Sequence, residues 1–169
     1  MQQAAAGEGD LSFGFLTAVD SSAHGLFGGY LVVDAFGRPL EFHCTAPVKV
    51  SRAQQILYGP TLHGHLHGRQ IGGALLAEGK TEAAVVLTDL ESMLQVRPHT
   101  SRPVVFVQPA AAAGSGLGFV VGDTVVSPHA ADAAISAELE EWLAALAAAV
   151  DLREPFERIR AALDEAQRH

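Results

Sequence analysis

Residues 82–108 read EAAVVLTDLESMLQVRPHTSRPVVFVQ. Glu82–Thr88 is a short, continuous apolar run of the kind buried inside a sheet, and Pro103–Gln108 is a second. Fourteen residues separate Thr88 from Pro103. Within them Asp89 can cap a helix running to about Val96. A spacer of that length allows a crossover, so the two strands are expected to pair in parallel.

Upstream, the pattern changes to an antiparallel one. Leu11–Val19, Gly29–Asp34 and Pro39–Pro47 read as three strands, joined by the glycine-containing stretch Asp20–Gly28 and the short loop Ala35–Arg38. Gly37 can take the positive φ that such a loop needs. Along the third strand Leu40, Phe42 and Cys44 share one face, and Glu41, His43 and Thr45 the other. Cys44 is therefore expected on the apolar, covered face. Gly28-Gly29 and Gly37 read as turn glycines.

Ser51 can cap a short helix through Tyr58, with Gly59 and Pro60 as its stop. Residues 61–79 are ambiguous, because Ile71, Ala74 and Leu75 favour a helix while Gly64, Gly68, Gly72 and Gly73 weaken it. Pro109–Gly116 reads as a low-complexity loop, and Leu117–Val126 as a hairpin turning at Gly122-Asp123. Ile135, Leu139, Trp142, Leu143, Leu146 and Val150 form one helical stripe. Asp151 with Glu154 resembles a capping box opening a second helix striped by Leu152, Phe156, Ile159 and Leu163.

These pieces define an α+β fold: an antiparallel meander, a βαβ-like segment, a hairpin and a C-terminal helical hairpin. Residues 1–10 read as a disordered lead-in, 11–128 as the α+β core, and 129–169 as an acidic helical hairpin packed on the same domain. Self-association through Trp142 and Leu146 is the other use of the stripe.

The chain has 169 residues, 49% of them hydrophobic and 18% charged. That is enough for a core without disulfides, and too apolar for a disordered chain. No run reaches the ~18 apolar residues of a membrane span, and no signal peptide is read at the start. A single cysteine fits a reducing cytoplasm. Eleven basic against nineteen acidic residues leave a net charge of −8, without the basic footprint that nucleic acid or an anionic membrane requires.

The most conspicuous chemical feature is His63-Gly-His65-Leu-His67. In an extended chain all three imidazoles point one way, which suits zinc or another divalent metal. In a helix His63 and His67 are one turn apart, His65 points nearly opposite, and a further ligand must come from elsewhere. The plain alternative is a surface glycine-histidine loop. A cupin-like metal pattern fails because Gly72 stands where its glutamate belongs. A deubiquitinase-like metalloprotease pattern fails because Gly68 replaces its proline.

Cys44 beside His43 does not make a thiol enzyme, since neighbours on a strand face opposite ways. Gly114-Ser115-Gly116 lacks the spacing of a serine nucleophile elbow, and no Walker A lysine motif occurs. Asp89 stands where α/β sheets bind ligands, so Asp89, Arg97, His99 and Arg102 form a candidate set for a small polar ligand. The competing reading of Asp89 is an N-cap.

The stretch from Gly28 to Gly72 (GGYLVVDAFGRPLEFHCTAPV, RAQQILYGPTL and IG within it) resembles uncharacterised bacterial proteins over about a quarter of the chain. The resemblance implies a bacterial, cytoplasmic setting and carries no activity, cofactor or site residue. With no catalytic constellation passing the spacing tests, the sequence reads as a soluble, non-enzymatic protein-binding or assembly module without a cofactor. Its partner would be another protein or a second copy, and neither nucleic acid nor membrane. The alternative is a metal-binding protein or metal-dependent enzyme using His63, His65 and His67.

Overall fold

The computed structural model describes residues 10–21, 25–112 and 118–168. Residues 1–9 of the expected lead-in over 1–10 and the Gly114-Ser115-Gly116 stretch lie outside them. The described residues form an α+β fold built on a seven-stranded mixed sheet. Its strands are β1 (Phe13–Ser21), β2 (Gly25–Val33), β3 (Pro39–Cys44), β4 (Val85–Thr88), β5 (Val104–Pro109), β6 (Phe119–Val121) and β7 (Thr124–Pro128). They lie side by side in the order β3-β2-β1-β4-β5-β7-β6.

The expected meander is there: β1 pairs with β2 and β2 with β3, both antiparallel. So is the expected parallel pairing, β4 with β5, and β4 also pairs in parallel with β1. The hairpin β6–β7 turns at Gly122-Asp123, with Gly122 at φ 60°. Gly37 takes φ 80° in the β2–β3 loop.

Alternation along each strand sorts the core into two layers. On one face Phe13, Phe15, Leu31, Val85, Leu87 and Val105 pack against α4 (Ser136–Ala147) and α5 (Glu154–Gln167). Phe15 meets Phe156 edge to face, with ring centroids 5.3 Å apart, a geometry that adds about 0.5–1.5 kcal/mol to the burial. On the other face Leu16, Tyr30, Val32, Val86 and Val104 pack against Leu66, Ile71, Leu75, Met93 and Val96. Both layers therefore bury the central strands, which explains their unbroken apolar runs.

The second layer comes from the segment that the sequence left ambiguous. α1 (Arg52–Tyr58) opens with the cap expected of Ser51, and Gln54 completes it as a capping box by accepting from the Ser51 amide. Gly59, at φ 52°, ends α1 after Tyr58 as expected, but the chain stays helical beyond it. A 3₁₀ turn (Gly59–Thr61), α2 (Leu62–Gly64), a π-helical stretch (His65–Gly73) and α3 (Ala74–Glu78) follow without interruption. The glycines that weaken this helix on propensity serve its packing. A Cβ on Gly68 would lie 2.7 Å from Gln95 Cβ, and one on Gly72 2.8 Å from Val96 Cγ2. They let the helix lie directly on the 3₁₀ segment Glu91–His99.

Gly28 and Gly29 correct the reading as turn residues. Both lie inside β2 and face opposite ways. A Cβ on Gly28 would meet Ile71 Cγ2 at 2.2 Å, and one on Gly29 would meet Ile159 Cγ2 at 2.5 Å. They admit one helix to each side of the strand.

The C-terminal helices settle on the sheet separately. α5 lies over β1 and β2, and α4 lies toward β6. Leu139, Leu143, Leu146, Phe156, Ile159 and Leu163 are all buried beneath them. Leu146 is thus a core residue, and Trp142 packs partly against the same core. α5 begins at Glu154, with Pro155 in its first turn and no side-chain cap. Asp151 accepts from Arg153 N at 2.9 Å in the preceding turn. Among the described residues no helix is long and apolar enough to cross a membrane.

Candidate functional site

Ligands of α/β sheets gather at the carboxyl ends of parallel strands. Here β1 and β4 end beside a groove of about 860 Å³. Ala18 and Asp20 of β1, Gly25 and Leu26 of β2, Val48–Val50, Leu62, His63, Leu66, His67 and Leu90 line it. The lining is apolar with a few polar groups, as small-ligand sites are. Asp20 reaches the groove because it shares the face of Leu16 and Ala18, two residues apart in turn.

The helical form of residues 62–73 separates the three histidines. His63 and His67 face one another, ring centroids 5.5 Å apart. His65 turns to the other side and stacks on Tyr58, with centroids 4.5 Å apart. The helical alternative, with His65 pointing away, is the one realised, and the extended three-histidine array is not formed. Among the described residues no three His, Cys, Asp or Glu side chains converge as a metal site.

His67 is buried, and its Nδ1 lies 2.5 Å from Ser92 Oγ. Burial, and then the neighbouring His63, holds the His67 imidazole below its ordinary pKa, with Asp20 pulling the other way. The neutral ring thus spans from Ser92 to the groove. His63 also borders a second hollow of about 580 Å³, shared with His65, Arg69, Ser92 and His99.

The set Asp89, Arg97, His99 and Arg102 is not assembled. Asp89 Oδ1 accepts from Thr17 Oγ1 at 2.6 Å, and Oδ2 from Arg160 of α5. Asp89 is not the N-cap either: Leu90 holds that place, and Leu90 N donates to Thr88 Oγ1 at 3.2 Å. Arg97 grips the buried Asp132, its Nε 3.0 Å from Oδ2 and Nη2 3.1 Å from Oδ1. Arg102 pairs with Glu82 at 2.9 Å. His99 is exposed.

The other unusual surface is the free edge of β3. Phe42 and Cys44 share one face as expected, but that face is the open one; a register shift against β2 at Val32/Val33 leaves Leu40 unpaired beside them. Leu40 is 49% exposed, Phe42 38%, and the nearby Phe36 65%. Cys44 is exposed too, which corrects its expected burial. The reason is the reach of α5, which covers β1 and β2 and stops short of the edge. Glu41 and His43 lie on the opposite face. Glu41 Oε1 accepts from Lys80 N at 3.0 Å and Thr81 N at 2.9 Å, and Oε2 lies 3.3 Å from His43 Nε2. Burial alone would raise the Glu41 carboxyl, but the Thr81 amide, His43 and the Lys80 amide together hold it below its ordinary pKa.

Asp20, Ser92 and the β3 edge are functional candidates that local reasoning missed. No sequence signal links Asp20 or Ser92 to the histidines, because the sheet and the glycine-packed helix bring them together from afar. No protein-family model matches this chain, and no curated protein matches it.

Proposed function

We propose that the chain is a non-enzymatic binding module that assembles with a second copy of itself along the β3 edge. One observation carries this reading: an edge strand presents Phe42 to solvent on the face that α5 leaves bare, with Leu40 exposed beside it. Edge strands offer unpaired backbone groups to another strand, and proteins usually blunt them with charge or cover. Here the open face is apolar.

The pattern of β3 is self-complementary. In an antiparallel pair centred on Phe42, the two Phe42 rings sit together. Glu41 then falls opposite His43 of the second copy on the other face. Such a contact is isologous and closes on itself as a dimer. The acidic net charge of −8 favours a protein partner over nucleic acid. An exposed single thiol fits a reducing compartment, so a bacterial cytoplasm belongs to the same reading.

The test is mass in solution by analytical ultracentrifugation. The expected result is twice the 17.7 kDa chain mass for the unaltered protein, and the single chain mass for Phe42→Asp. Because Phe42 is partly exposed, that substitution leaves the core intact, and Leu40→Lys serves as a second variant. A protein that stays monomeric across the micromolar range overturns the proposal, as does a dimer indifferent to both changes.

A further inference from the structure

We propose that His63 and His67, with Asp20, form a site for a divalent transition-metal ion of the zinc class at the mouth of the groove. This does not depend on the β3 edge, and it reassigns the chemistry of the histidine run to two of its three members.

The spacing is the first argument. Imidazole nitrogens stand about 2.0–2.1 Å from zinc, which sets the ring centroids of two tetrahedral ligands roughly 5 Å apart. The His63 and His67 rings are 5.5 Å apart, tilted by 57° and not stacked. The helical run that carries them packs on Glu91–His99, which fixes their backbone positions one turn apart on one face.

Orientation is the second argument. A metal-bound histidine typically offers its other ring nitrogen to a fixed hydrogen-bond partner, which sets its tautomer. Ser92 Oγ occupies that place at His67 Nδ1. With Ser92 accepting the Nδ1 proton, Nε2 keeps its lone pair for an ion. His65 has no such arrangement, and its ring is taken by Tyr58.

The third ligand is a carboxylate. Asp20 is the one acidic residue among the described residues lining the groove that His63 and His67 also line. The three side chains do not themselves converge among the described residues, so under this proposal Asp20 has to swing toward the ion on binding. A fourth position then stays open to water or to a donor from a ligand in the groove. Imidazole with a single carboxylate suits zinc, nickel or copper, and magnesium and calcium prefer all-oxygen sites.

The test is calorimetric titration of the untagged full chain with Zn²⁺ at neutral pH. One saturable equivalent is expected. His63→Ala should weaken it about tenfold or more, Asp20→Asn and Ser92→Ala should weaken it measurably, and His65→Ala should leave it unchanged. His63 is exposed, so its loss leaves the fold intact where a His67 variant could fail to fold. Absence of saturable binding overturns the proposal. So does binding that His65→Ala weakens as much as His63→Ala does, or that His63→Ala leaves untouched.

Discussion

Thr17 Oγ1 donates to Asp89 Oδ1 at 2.6 Å, joining residues 72 apart in sequence. Thr17 is fully buried at the centre of β1, and Asp89 follows the end of β4. The second carboxylate oxygen takes Arg160 from α5. One aspartate thus ties two parallel strands to the helix above them. Asp89→Ala should strand the Thr17 hydroxyl, at about 1–3 kcal/mol. Urea denaturation of Asp89→Ala, Thr17→Val and the double variant checks this. The double variant is expected to lose less than the sum of the single losses, because the pair shares one bond.

Arg97 and Asp132 form the corresponding tie on the far side of the sheet. Asp132 is buried, takes Arg97 on both oxygens, and accepts Val104 N at 3.1 Å at the start of β5. Removing one partner of a buried pair leaves the other uncompensated, which costs about 3–5 kcal/mol. Arg97 keeps part of its side chain in water, so the lower end of that range applies to Asp132→Ala. Thermal unfolding should show it as a drop of several degrees in Tm. An unchanged Tm would mean that the pair contributes nothing net.

Gly28→Ala should destabilise by a route that no lost contact describes. The added methyl would have to displace Ile71 Cγ2, 2.2 Å away, and approach the Thr17 carbonyl at 3.1 Å. Ile71 is fully buried and cannot swing into water. Overpacking of this kind costs about 1–3 kcal/mol. The informative comparison is Gly28→Ala in an Ile71→Val background. If shape is the cause, the smaller neighbour should recover part of the loss, measured by urea midpoint.

The strands were legible because their periodicity is local. Phe13, Phe15 and Leu31 alternate with residues of the other layer, and Gly122-Asp123 marks its own turn. The helical layer was obscured because Gly64, Gly68 and Gly72 lower helix propensity. Their spacing of four is itself a helical signal, that of a stripe meeting a close neighbour. Asp89 looked like a cap because nothing local points to Thr17 or Arg160. The exposed face of β3 was misjudged because apolar alternation shows which residues share a face, but not whether a helix reaches it. At the site, the spacing of His63 and His67 was readable once the segment is helical. Asp20 and Ser92 join them only through tertiary packing.

Tyr30 gives the structure a signature at alkaline pH. Its ring lies over Gly14, where a Cβ would come within 2.5 Å of the hydroxyl. Burial, with the Glu41 charge adding to it and Arg102 opposing, pushes its pKa up from 10.0 to about 12. The sign follows from proton counting. Between pH 10 and 12 the unfolded chain loses the Tyr30 proton and the folded chain keeps it, so the folded state binds more protons and stability falls as pH rises. The loss reaches on the order of 2–3 kcal/mol by the upper end of that window, and it is absent below pH 10. Absorbance at the phenolate band should show one of the two tyrosines ionising near pH 12. In Tyr30→Phe that late step should vanish, and the slope of stability against pH above 10 should flatten. A Tyr30 that ionises with the ordinary phenol value would mean that water reaches the hydroxyl and that Tyr30 does not pack closely over Gly14.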